Sequence, residues 1–96
     1  MNENKISLNE TLEQRKLIYG DYKKACISRV KILKILKEHH LFVNKKHMDE
    51  ELTIGFSDLV LKLVRASATP QYSDSFHDLA GYAQLLEKEA KEFNNE

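Results

Sequence analysis

The sequence predicts an all-α fold, a compact bundle of about four helices formed by one domain of 96 residues. Three observations predict it. Apolar residues recur three and four apart, the period of a helix face, and no stretch alternates with the period of a half-buried strand. Three glycines and one proline leave long runs free of the residues that helices tolerate least. Turn and cap residues fall between the periodic runs. A chain of this length builds one modest core and no second domain, with polar tails at about 1–7 and 93–96.

The first helix is expected over about 9–17, where Ser7-Leu8-Asn9-Glu10 offers a capping box. "IYGDY" ends it: Gly20 supplies the turn and Asp21 the N-cap of the next helix. That second helix covers about 22–39, with Tyr22, Ala25, Ile32, Leu33 and Leu36 on one face. "HHLFVNKKHMDEE" reads as a loop carrying a small apolar patch, Leu41-Phe42-Val43. The third helix spans about 51–67. Leu52, Phe56, Leu59, Val60 and Leu63 form its main stripe, while Ile54 and Leu61 point nearly the opposite way. A helix apolar on two sides is covered on two sides, by its own chain or by another copy, so self-association into a homo-oligomer is expected. "SATPQYS" makes a turn at Pro70, and Ser73 or Asp74 caps the fourth helix. Its stripe is Phe76, Leu79, Ala80, Ala83, Leu86, Ala90 and Phe93, interrupted by Gly81.

The formal net charge is zero but unevenly spread. Residues 23–47 carry a surplus of seven positive charges, and residues from 74 onward a surplus of four negative ones. Such asymmetry steers an anionic ligand or draws the two segments together. The lysines of the second helix lack the arginine and aromatic interleaving that reads bases, so a solvated face is expected rather than nucleic-acid binding. One cysteine, Cys26, makes no internal disulfide. The polar opening "MNENKISLNE" has no signal-peptide core and no stretch is long enough to span a bilayer, so a cytoplasmic protein without a membrane partner is expected.

Several polar residues stand in awkward places. Arg29 falls inside the apolar stripe of the second helix, where an unpaired charge is costly. It either meets an acid (Asp21, Asp58, Asp74 or Asp78) in a structural ion pair, or presents its guanidinium to a phosphate. Lys62 and Arg65, three apart, share a face away from the main stripe of the third helix, as a solvated basic face or a phosphate grip. Asp74 and Asp78, four apart, are placed to pair with them; alternatively, two carboxylates one turn apart hold Mg²⁺ together with water and phosphate. Acids in a first helical turn are also favoured by the macrodipole alone. His39, His40, His47 and His77 have no metal-binding spacing, and Cys26 has no partner that marks a nucleophile.

Taken together, "YGDY" at 19–22, "LVLKLVRA" at 59–66 and "DSFHDLAGYAQLLEKE" at 74–89 resemble a family of small phage and prophage helical proteins. That family resembles the nucleotide-modification-associated domain and, more distantly, MazG-type nucleotide pyrophosphatases. The resemblance covers most of residues 10–90 and is most specific in the third stretch. It implies that Tyr19, Gly20, Asp21, Lys62, Arg65, Asp74, His77, Asp78 and Tyr82 are the recurring polar positions. The acidic pairs by which MazG-type enzymes bind Mg²⁺ are not repeated. The second helix is basic here, and the acidic pairs present are Glu10-x-x-Glu13 and Asp74-x-x-x-Asp78.

Two functions follow as expectations. In the first, Lys62 and Arg65, with Arg29, hold the phosphates of a nucleotide or other phosphorylated ligand; Asp74 and Asp78 bind Mg²⁺ or orient these basic side chains, and Tyr19 or Tyr82 stacks on the base. Gly81 then lets another helix approach. In the second, the chain is a non-catalytic interaction module of a mobile element, and the same charges form an internal network. Burial separates them: an open cleft lined by Lys62 and Arg65 favours the first, a closed network the second.

Overall fold

The computed structural model describes residues 11–14 and 21–94, with side chains described as far as Glu92. The expectations placed on Tyr19, Gly20, the Ser7–Glu10 box and the Phe93 side chain lie outside these residues. Residues 11–14 are helical (α1), followed by α2 at Tyr22–Asn44, α3 at Glu50–Ala68 and α4 at Ser73–Asn94. No strand occurs among the described residues, and the fold is an all-α bundle.

Asp21 caps α2 as the sequence suggests. Its backbone is extended and its carboxylate accepts a hydrogen bond from the Lys24 amide at 3.0 Å, satisfying one donor of the first turn. The helix then runs past its expected end at residue 39 and takes in the Leu41-Phe42-Val43 patch. Nothing in "HHLFVN" breaks a helix: it has neither glycine nor proline. The stop comes at Lys45, whose φ of 61° is left-handed and whose N–H donates to the Leu41 carbonyl. The Asn44 amide reinforces this end by donating to the His40 carbonyl at 3.0 Å. The expected long loop shrinks to residues 45–49, within which Met48 turns inward and is buried.

Helix α3 lies between the other two, packing on α2 along one side and on α4 along the other. Its two-sided apolar pattern is thus used within a single chain, although Ile54 and Leu63 remain exposed. The core is small: among the described residues only Met48, Val60, Ala66, Leu86 and Ser75 are buried. The face that α2 turns toward α3 is Ala25, Arg29, Ile32, Leu33 and Leu36, all half-buried. Tyr22, placed on that face by spacing, is 81% exposed, because it stands at the first residue of the helix, beyond the overlap.

Helix α4 begins at Ser73, so neither Ser73 nor Asp74 is its cap; both lie in its first turn. Its packing face is also turned from the expected one. Ser75, Leu79, Leu86 and Ala90 carry it, whereas Phe76, Ala80 and Ala83 are exposed. With only α3 to cover it, a narrow stripe suffices, and the wider apolar arc read from the sequence exceeds what one neighbour can bury.

The glycines reverse their expected roles. A Cβ at Gly81 would meet nothing within 4 Å, so Gly81 is not a point of close approach. Gly55 is: a Cβ there would lie 2.5 Å from Leu86 Cδ1. The glycine that brings α3 and α4 together sits on α3.

Candidate functional site

Lys62 lies in the middle of α3 on the side that meets α4, and its Nζ reaches Asp78 Oδ2 at 3.5 Å. The same ammonium stands 5.2 Å from the centre of the Tyr82 ring. Asp78 and Tyr82 are four apart on α4 and therefore neighbours on one of its faces. Lys62, Asp78 and Tyr82, drawn from two separate motifs, thus meet at the α3–α4 seam. The cluster is asymmetric in its exposure: the Lys62 side chain is 13% exposed and that of Asp78 53%. The cation is largely withdrawn from water while its carboxylate partner faces it. Lys62 is therefore not part of a solvated basic face, because α4 lies over it. Arg65 is likewise half-buried and engaged in an interaction of its own.

The remaining candidates do not join the cluster. Asp74 is exposed one turn before Asp78, and His77 is exposed on α4. Asp21 is occupied as the α2 cap. Arg29 points into the α2–α3 interface, but none of the four acids named above receives it. Its Nη2 instead donates to the Ser57 hydroxyl at 3.5 Å, and its Nε is buried without a hydrogen-bond partner among the described residues. The sequence pattern marked Arg29 as needing a partner and missed Ser57, since a hydroxyl carries no charge signal. Ser75, the serine of the α4 motif, is buried with its hydroxyl unpartnered among the described residues, and serves as a small residue at the helix contact.

Among the described residues no group of three or more His, Cys, Asp or Glu side chains is close enough to hold a metal ion. Asp74 and Asp78 offer two carboxylates, a set that suits a cation completing its shell with water and ligand oxygens. Nor is any described helix long and apolar enough to cross a membrane.

A second feature lies apart from this seam. An open groove of about 470 Å³ runs along α2, with Val30, Leu33 and Leu41 on its floor and Lys34, Lys37 and His47 among its polar groups. The lysines of α2 are exposed, as expected of a solvated face, and Lys34 and Lys37 border this groove. Comparison with family models, with curated proteins and with solved structures found no match to this chain.

Proposed function

We propose that this chain binds a phosphorylated small ligand, a nucleotide by its chemistry, at the α3–α4 seam. The observation that carries the reading is the meeting of Lys62, Asp78 and Tyr82. The Lys62 ammonium is mostly covered rather than set in an open cleft, so a phosphate reaches it by displacing Asp78, whose side chain is 53% exposed. The ammonium's distance of 3.5 Å from Asp78 is long for an ion pair, which leaves that contact easily exchanged for a phosphate oxygen. Tyr82 adds an aromatic ring beside the charge, suited to a base or sugar. Mg²⁺, if used, would be held by Asp74 and Asp78 and would screen those carboxylates from the phosphate. The resemblance to small phage and prophage helical proteins related to nucleotide-modification domains agrees with this reading, as does a cytoplasmic setting. The proposal is one of binding and includes no hydrolytic step.

A thermal-shift panel of nucleotides and deoxynucleotides, with and without Mg²⁺, tests it. A ligand at a hundredfold over its Kd adds about 2.7 kcal/mol, which moves the midpoint of a domain this size by roughly 10 °C or more. The shift is expected to vanish in Lys62→Ala and to persist in Lys91→Ala, whose partner Glu87 lies on the exposed side of α4. A folded protein that gives a flat response to every nucleotide overturns the reading.

One observation favours a second reading. Lys62 is mostly covered, while large apolar side chains such as Phe42, at 72%, stand exposed. On that reading the chain is a non-catalytic interaction module of a mobile element, the cluster is an internal network, and the nucleotide panel is flat.

A further inference from the structure

Two exposed surfaces of the protein complement each other; Asp78, on the second, also reaches Lys62 at 3.5 Å. On α2, Lys23, Ile27, Val30, Lys34, Lys37 and Leu41 follow one another four and three apart, so they form a single stripe along the helix. All six are exposed, Val30 at 68%, and the last four border the groove. On α4, Asp74, Asp78, Leu85, Glu89 and Glu92 form a stripe of the same kind, also exposed throughout, Leu85 at 64%. One stripe is basic around aliphatic residues; the other is acidic around a leucine. They also match in length. Each spans 19 residues of helix, from 23 to 41 and from 74 to 92, or about 27 Å at the helical rise.

The two stripes cannot satisfy each other within one chain, because α3 stands between α2 and α4. We infer that they meet across copies: the α2 stripe of one molecule docks on the α4 stripe of a second copy of the same chain. The net charge of zero fits this occupant. Each copy carries a basic helix and an acidic one, so pairing two copies neutralises both surfaces at once, whereas a foreign acidic partner would leave α4 uncovered. A twofold dimer makes the contact twice, each α2 on the other copy's α4. Val30 against Leu85 gives the contact an apolar centre, and the lysine–carboxylate pairs fix which helix faces which. This inference does not depend on ligand binding at the α3–α4 seam.

The test is a charge exchange followed by sedimentation equilibrium of the full chain. The wild type is expected to self-associate, more weakly as salt is raised. K34E/K37E and E89K/E92K should each weaken association at least tenfold, since each sets like charges against like. An equimolar mixture of the two should form the heteromer, and a chain carrying all four exchanges should associate as the wild type does. These last two results separate a lost contact from a lost fold. A wild type that stays monomeric at all concentrations overturns the inference. So does a mixture that stays monomeric, or self-association that neither exchange disturbs.

Discussion

Gly55 and Gly81 both lie inside helices, where glycine costs about 1 kcal/mol relative to alanine. Their surroundings decide what a methyl group does. At Gly81 it meets open space, so Gly81→Ala is expected to stabilise the protein by roughly 0.5–1 kcal/mol, seen as a higher urea midpoint. At Gly55 it meets the terminal methyl of Leu86, which is buried and has to turn aside within the α3–α4 contact. Overpacking of this kind costs about 1–3 kcal/mol, which exceeds the gain in propensity, so Gly55→Ala is expected to lower the midpoint. Equal or same-signed shifts would contradict this account of the α3–α4 contact. The sequence drew attention to the wrong glycine because Gly81 interrupts a conspicuous motif. Gly55 lies in an apolar run, "TIGFSDLV", where a missing side chain leaves no periodic trace.

At the scale of the helices, Asp21 illustrates how a residue of a suspected site acquires a simpler role. Its carboxylate serves the first turn of α2. Asp21→Ala is therefore expected to cost about 1 kcal/mol in thermal or denaturant unfolding, and Asp21→Ser only a few tenths. Equal losses in both would point to a role beyond the cap. This start of α2 was legible because a cap is a local device; the end was not, because the stop rests on backbone geometry at Lys45. That α3 is covered on two sides was legible, but its exact faces were not: Ile54, which marked the second side, and Leu63 of the main stripe stay exposed. How far α4 would turn on α3 was not. Phe76 and Ala83 share the helix period with Leu79 and Leu86, and periodicity alone does not tell which edge of a broad apolar arc is left in water. Of the candidate site, spacing makes Lys62 a partner for Asp74 or Asp78, and only the resemblance points to Tyr82. The covering of Lys62 by α4 depends on tertiary packing and left no mark in the sequence.

For the molecule as a whole, the order α2–α3–α4 makes α3 the only one of these helices packed on both of the others. Unfolding either outer helix leaves α3 with one neighbour, whereas loosening α3 dissolves both contacts. Amide exchange monitored by mass spectrometry is expected to be slowest in the central turns of α3, around Val60, and faster in the outer halves of α2 and α4. Uniform protection across the three helices would mean that the outer pair have further support. The contact between Arg29 and Ser57 carries a separate consequence. In the row that Ser57 occupies on α3, the preceding turn offers Thr53, whose hydroxyl donates to the Asp49 carbonyl at 2.8 Å and can still accept, and the next offers Leu61, which has no acceptor. Sliding α2 by one turn toward Leu61 would strand the guanidinium against a hydrocarbon, whereas the opposite slide would offer it another hydroxyl. Arg29 thereby acts as a one-way stop: it adds little adhesion between the helices, but it rules out a slide toward Leu61 that the aliphatic residues alone would accept.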